Sequence, residues 1–399
     1  MKWEITLTDE KTETTESCPH MEGRVPDRGA LWESYRAADD VYQDENGVWQ
    51  VTRKETVRYA LQHPEVFSSA KAYNHIGCPV PMIPLNLDPP NHVRYRRVLD
   101  PMFAPKVLDP IEPELRRQAG DLIDRFAGRG HADIVKDFAE LYPTQVFLTM
   151  FGLPIEDRDQ FLRWINAING GAVHQTGSDL TEHDTAATNL TEYLRGFIEI
   201  RRRSPGDDMF SRILAVGGED LWGEDEILGF TFLFALAGLD TVTGELGFVF
   251  EYLASHPEIR AEITINPGSI DAIVEEILRL DPVTPRVSRM TSEEVELGGK
   301  TIPANSPVQL MLAAANRDPR AYVTPDAVDV QNVDAGHLTF GGGIHRCIGA
   351  RLARRELRIV LEEFHKRIPD YKLAPEADRS VVWPSSVLGL SSLPITFPV

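Results

Sequence analysis

Near its C-terminal end the chain reads Phe340-Gly341-Gly342-Gly343-Ile344-His345-Arg346-Cys347-Ile348-Gly349 and then enters a helical pattern. One cysteine thus stands at the mouth of a glycine-rich turn, just ahead of a helix. Glycines take backbone conformations closed to other residues and let the chain approach a flat ligand closely. The start of a helix offers free N–H groups and partial positive charge, which favour sulfur as an anion. A thiolate held in this way suits a metal ligand. The residues alone also fit a structural cysteine in a tight turn.

A second group interrupts an apolar run: Ala237-Gly238-Leu239-Asp240-Thr241. Glycine inside a helix costs about 1 kcal/mol relative to alanine. An acid and a hydroxyl in such a run also cost desolvation. Together they predict a functional bend, with room beside Ala237 and Gly238 and a proton-passing pair at Asp240 and Thr241. A kinked core helix, its threonine bonded to its own i−4 carbonyl, is the alternative. Two further groupings are Glu276 with Arg279, on one helix face at i, i+3, and His92 with Arg96, at i, i+4.

Helices must position most of these residues. Helical spacing covers Gly29–Ala38, Lys54–Gln62, His92–Met102, Lys106–Arg129, Ile134–Phe151, Glu156–Ile168, Thr185–Arg203, Met209–Val216, Glu224–His256, Pro257–Ile265, Gly268–Asp281 and Ala350–Arg367. Strands are few: Val48–Thr52, the pair Glu294–Leu297 and Lys300–Ile302 about Gly298-Gly299, Val308–Leu312, and the extreme C-terminus. Lys71–Pro90 and Asn166–Ala187 read as irregular segments, suited to lids or plain connections. The expectation is a mainly α protein with small β-sheets, one domain over 1–399 with an extended segment over 1–30.

The 399 residues carry 41 basic and 61 acidic side chains, a formal charge of −20. That balance argues against nucleic acid as a partner. Three cysteines, Cys18, Cys78 and Cys347, make no disulfide framework and fit a reducing cytoplasm. The N-terminus shows no apolar signal core, and the longest apolar region, Ile227 to Leu253, is broken by Asp240, Thr241, Thr243, Glu245 and Glu251. It reads as a core helix, not a membrane span. No flavin or nicotinamide fingerprint is present, so any electrons come from outside. A basic cluster of Arg97, Lys106, Arg346, Arg351, Arg354 and Arg355 could steer an acidic donor.

The pattern Phe-Gly-x-Gly-x-His-x-Cys-x-Gly resembles the haem-binding loop of the cytochrome P450 family, with six fixed identities in ten residues. Within the family the resemblance is closest to soluble bacterial members, including the camphor hydroxylase group. It implies haem b between the long central helix and the helix after the cysteine, with Cys347 on the iron. An anionic sulfur there favours O–O cleavage. Phe340, Gly341, His345 and Gly349 would surround the ligand, and Ala237 and Gly238 would leave room for oxygen. Thr241 would hold the oxygen or its water, and Asp240 would gate proton access. Glu276 and Arg279 match the family's structural pair; a third member, an arginine, is replaced by Asn332.

The haem carboxylates would meet His92 and Arg96 after Asp88-Pro89-Pro90, together with Arg289, His337 and His345. The resemblance assigns the substrate pocket to Val80, Met82, Ile83, Leu85, Leu233, Leu236, Ala237, Val283, Val287 and Val387. All are apolar, so an apolar substrate is expected, held mainly by burial. Camphor is not expected, because Val80 stands where the camphor enzyme offers a tyrosine. Arg286, beside this wall, could meet a substrate carboxylate, although a surface or propionate role fits it better. The implied activity is monooxygenation by O2, in a monomer fed by a 2Fe-2S ferredoxin and an NAD(P)H-dependent reductase. A peroxide-driven peroxygenase, a non-catalytic haem sensor or carrier, and an isomerase or reductase on the same fold are the alternatives.

Overall fold

The structure, a computed structural model, describes residues 23–73, 81–173, 180–221, 223–330 and 336–399. Val80 and Asn332 lie outside the described residues, as do Cys18 and Cys78.

One helix, Glu224–Ser255, organises the rest. At 1.5 Å per residue it is about 48 Å long. Its apolar side chains point in every direction, so it must be covered all round. Leu228, Phe232, Ala235, Leu246, Val249 and Leu253 are all buried. The helices Leu141–Phe151, Leu180–Arg203, Ile270–Leu280 and Ala350–Arg367 pack on it. Glu224, Asp225 and Glu226 fill its first turn, where the helix dipole favours negative charge. By length and composition this helix could cross a membrane, but most of its apolar window is covered by protein.

Two glycines let neighbouring chain touch this helix. A Cβ on Gly229 would fall on the Pro81 carbonyl oxygen, and one on Gly244 would lie 2.5 Å from the Leu388 carbonyl oxygen. The loop at Pro81 and the loop at Leu388 therefore reach the helix on either side of Ala237.

The main sheet has five strands in the order Val41–Gln43, Trp49–Val51, Pro307–Leu310, Val287–Thr291, Phe67–Ser68. Trp49–Val51 pairs in parallel with Pro307–Leu310, and the other neighbours are antiparallel. The Gly298-Gly299 turn joins Val295–Leu297 to Lys300–Ile302, and both glycines take positive φ as that hairpin needs. Gly23–Val25 pairs with Val381–Trp383. The stretch over 1–30 is thus not wholly extended: a helix capped by Asp27 already begins at Arg28.

Two expectations need correction. Asn166–Ala187 is largely helical, within Arg158–Val173 and Leu180–Arg203. Glu182, Asp184 and Thr185 are exposed, whereas Ile165, Ile168, Ala186, Ala187 and Leu190 point into the core. The central helix continues through Gly238 without a break. Val287–Thr291, not recognised as a strand, pairs on both edges, although its mixed side chains carry no simple alternation.

The Gly229→Ala variant should be destabilised by about 1–3 kcal/mol in chemical denaturation, because the added methyl has no space. Gly196→Ala, exposed on a helix with nothing within 4 Å of the new Cβ, should instead gain about 0.5–1 kcal/mol.

Candidate active site

The cysteine loop is fastened before the cysteine is reached. The Gly341 N–H donates to Leu338 O at 2.7 Å, and the Cys347 N–H donates to Phe340 O at 2.8 Å. Gly341 and Gly343 take φ of +66° and +60°. A Cβ on Gly343 would fall on the Leu61 carbonyl oxygen, so the loop lies flat on the end of helix Lys54–Gln62. Behind it, buried Asn316 accepts from the Leu338 N–H at 2.7 Å and donates to Thr339 Oγ1 at 2.9 Å. Thr339 Oγ1 in turn donates to Leu278 O at 2.6 Å.

Helix Ile270–Leu280 carries the Glu276–Arg279 pair. Arg279 donates Nε to Glu276 Oε1 at 2.9 Å and Nη2 to Glu276 Oε2 at 2.8 Å. Both residues are buried. The remaining guanidinium donors reach the carbonyls of Asn316, Pro325 and Ala327. The pair is thus completed by backbone, and it pins the chain that leads to the cysteine loop. Glu275 adds a second anchor, accepting from Arg354 at 2.5 and 2.7 Å and from His337 Nε2 at 3.1 Å. Burial alone would raise the Glu275 carboxyl, yet the hydrogen bonds from Arg354 and His337 hold it down at about 2.

Cys347 combines two properties. Its side chain is accessible, yet it sits deep enough that burial pushes its thiol up. Both hold when the sulfur faces an interior space. The N–H groups of Gly349 and Ala350, with Arg96 and Arg354 nearby, pull the thiol the other way, toward thiolate. The central helix shows the matching pattern. Within its buried length, Leu233, Leu236, Ala237, Gly238, Asp240 and Thr241 retain accessible surface. Most follow helical spacing, so they form one stripe. Phe234 links the two regions: its ring lies 3.7 Å from a Cβ built on Gly238 and 4.0 Å from one built on Gly349, itself 3.9 Å from Cys347 Sγ. Thr241 Oγ1 donates to Ala237 O at 2.6 Å, the i−4 bond of the alternative reading.

A group of cations and donors lies on the same side of the cysteine loop. The His92 and His345 rings meet at 4.4 Å. Among the described residues neither ring nitrogen of buried His92 has a partner, nor has His345 Nε2. Burial lowers His92 to about 4 and His345 to about 3, with Arg96 lowering both and Arg289 adding to the effect on His345. Arg289 is buried and donates only to the Ser288 carbonyl, at 2.7 Å, and to Tyr73. Among the described residues it has no ion pair. Arg96 donates to Asp100 at 2.7 Å and to Arg346 O at 2.8 Å. Mutually repelling, partner-poor donors of this kind fit a ligand that carries carboxylates. With an accessible sulfur beside them, they fit haem.

Other expected residues are placed differently. Both ring nitrogens of His337 are engaged, with Glu275 and with the Thr339 N–H, so it is not one of these open donors. Phe340 packs under the Arg354 guanidinium at 4.4 Å. Leu85, Val287 and Val387 are half-buried, whereas Met82, Ile83 and Val283 are buried. Arg354 and Arg355 are tied to Glu275 and to Asp109 and Glu112, but Arg97, Lys106, Arg346 and Arg351 are exposed. Asn316, Glu275 and Tyr73 were not singled out from sequence. Only Glu275, adjacent to the Glu-x-x-Arg pattern, carried any signal there. Glu245, one turn past Thr241, is buried, and burial with the Asp281 charge pushes its carboxyl well up, against a backbone hydrogen bond at Val283 and the Arg28 charge.

The family model described as cytochrome P450 matches residues 269–376. Vitamin D(3) 25-hydroxylase of Pseudonocardia autotrophica is 32% identical, over 92% of this chain and 95% of its own length. Erythromycin C-12 hydroxylase of Saccharopolyspora erythraea is 34% identical, over 90% of this chain and 92% of its own. The solved structure of a mutant P450 EryK with erythromycin B superposes with a TM-score of 0.84 at 31% identity, covering 94% of this chain and 98% of that one. The chain belongs to the cytochrome P450 family. It is a bacterial-type P450 monooxygenase, a haem-iron enzyme that works with a substrate, O2 and a redox partner.

Replacing Glu276 by Gln leaves Arg279 buried without its counter-charge and should cost about 3–5 kcal/mol in chemical denaturation. Glu275 makes a pH prediction. Its carboxyl is depressed, from 4.5 to about 2, so the stability it contributes is full above about 4.5 and is lost as pH falls toward 2. Unfolding of Glu275→Gln, followed across that window, should show a flatter acid limb than wild type.

Proposed function

We propose that this enzyme hydroxylates a C–H bond of an apolar small molecule, terpenoid-, steroid- or lipid-like, with haem b ligated by Cys347. The accessible sulfur of Cys347, set in the interior beside the accessible stripe of the central helix, carries this reading. Haem, when bound, supplies the iron at which O2 is activated and its bond cleaved.

This chain's own residues do the remainder. The Gly349 and Ala350 N–H groups hold negative charge on Cys347 sulfur. His92, Arg96, Arg289 and His345 would hold the two carboxylates of the group. Thr241, now bonded to Ala237 O, can rotate its hydroxyl about χ1 and donate toward the space beside Ala237. Asp240, half-buried on the next position, is placed to resupply that proton from the helix flank. Leu233, Leu236, Val287 and Val387 offer apolar surface that excludes water and holds a substrate by burial. Val80 would join them. The vitamin D(3) 25-hydroxylase and erythromycin C-12 hydroxylase among the relatives support a hydroxylation.

A 2Fe-2S ferredoxin with an NAD(P)H-dependent reductase would deliver electrons. Exposed Arg97, Lys106, Arg346 and Arg351 supply positive charge on the cysteine side of an acidic protein. A cytoplasmic monomer of one domain completes the reading, supported by the sparse cysteines and the covered central helix.

Purified wild-type protein should show the strongly red-shifted ferrous–CO band of a thiolate-ligated haem, and Cys347→Ser should lose it. A retained band overturns the ligand assignment. Thr241→Ala should keep haem and that band while several-fold more of the reducing equivalents end as hydrogen peroxide; unchanged coupling overturns the proton role. Turnover with a ferredoxin and reductase but not with hydrogen peroxide separates a monooxygenase from a peroxygenase, and product formation separates it from a sensor or carrier.

A further inference from the structure

Arg286 is a cation that none of the roles above employs. It immediately precedes strand Val287–Thr291 and is half-buried. Its guanidinium lies 4.7 Å over the Trp383 ring. Several enclosed arginines face carboxylates: Arg28 meets Glu251 and Asp281, Arg279 meets Glu276, and Arg317 meets Asp281, whereas Arg289 would be kept for the haem carboxylates. Arg286 makes no ion pair among the described residues. Burial disfavours its charge, and only Tyr35 and Asp44 act on it in compensation. Asp44 is engaged elsewhere: its carboxylate accepts from the Asn46 and Val48 N–H groups and from Gln50 Nε2, each at 2.9 Å.

The platform under Arg286 is rigid. Trp383 is buried, stands edge-on to Trp32 at 5.2 Å and Tyr35 at 6.0 Å, and donates its indole N–H to Tyr35 Oη at 3.3 Å. A guanidinium stacked by its face keeps its edge donors directed outward in a planar fork.

The adjoining sheet surface is polar. Register places Tyr42 opposite Gln50, Gln50 opposite Gln309, and Gln309 opposite Ser288. Residues in register share a face, so these four form one row across four strands. Val41, Val51, Leu310 and Val287 form the apolar row of the other face. Gln309 Nε2 donates to Ser288 Oγ at 3.0 Å, and the Ser288 N–H donates to Tyr73 Oη at 3.2 Å. Gln50 Oε1 is buried without a partner. Arg286 precedes Ser288 by two residues, the spacing that returns a side chain to the same face of an extended chain.

This polar end is continuous with the apolar wall. The Leu388 N–H donates to Val283 O at 2.7 Å, tying the segment after Trp383 to the segment before Arg286. Val283, Val287 and Val387 belong to those same two segments.

We propose that Arg286 anchors the carboxylate of an amphipathic substrate whose apolar body lies along Val283 and Val387. The guanidinium takes the carboxylate, and Ser288 and Gln309, on the same sheet face, would add neutral hydrogen bonds. This inference rests on the monooxygenase reading above and narrows its substrate to apolar carboxylic acids.

The test is a spin-state titration of the haem-loaded enzyme with hexadecanoic acid and dehydroabietic acid, each beside its methyl ester. At low salt at least one acid should bind wild type about tenfold or more tighter than its ester, and added salt should shrink that gap. Arg286→Gln and Arg286→Leu should abolish the preference while leaving ester binding unchanged, and Arg286→Lys should keep part of it. The ferrous–CO band is recorded for each variant to establish folding, and Arg286→Gln decides the matter if Arg286→Leu lacks the band. The proposal is overturned if neither acid binds wild type, if acid and ester bind wild type equally, or if Arg286→Gln retains the preference. A wild-type protein without the ferrous–CO band refutes the monooxygenase reading instead, by a signal that does not depend on Arg286.

Discussion

A sulfur atom that must stay reachable inside a protein cannot be buried by its neighbours, so its position has to be fixed entirely from behind. The cysteine loop meets that demand with backbone and polar contacts. Leu61 limits it on one side, Asn316 and Thr339 hold its approach, and Glu276 with Arg279 hold the chain before that. Every one of these contacts reaches main-chain atoms or another fixed side chain. The central helix then needs only to run past the loop, and the rest of the fold covers its apolar circumference.

Electrostatics follow the same division. Around Glu276, Glu275 and Asp281 the buried charges are matched, each acid with a cation. Around His92, His345 and Arg289 they are not, and burial with mutual repulsion favours the neutral imidazoles. Matched regions are structural and self-sufficient. The unmatched region has a polarity that only an added anionic group can complete, and this contrast separates the scaffold from the site.

Much of this organisation was legible in the chain. The limits of Lys54–Gln62, Pro257–Ile265 and Ala350–Arg367 were read without error, because each has strong helical spacing and a clear stop such as His63 or Asn266. The loop at Cys347 was legible because its glycines and its cysteine sit at fixed local offsets. Strand Val287–Thr291 was not, since its identity comes from partners at Phe67 and Pro307 rather than from its own alternation. The ends of Arg158–Val173 and Leu180–Arg203 were not legible as helix because few apolar residues there mark a buried stripe. Asn316 left no local trace: its importance comes from two contacts made more than twenty residues downstream.

The parallel pairing of Trp49–Val51 with Pro307–Leu310 has a consequence for how the protein comes into being. The third strand of the main sheet leaves the ribosome only after three-quarters of the polypeptide has been made, so Val41–Val51 must wait exposed, its apolar edge unpaired, through most of synthesis. Non-local pairing of this kind slows folding and invites aggregation. Heterologous production should therefore be limited by the fate of this N-terminal hairpin in nascent chains, and slower translation or a holdase chaperone should raise the yield of soluble protein more than added haem precursor does.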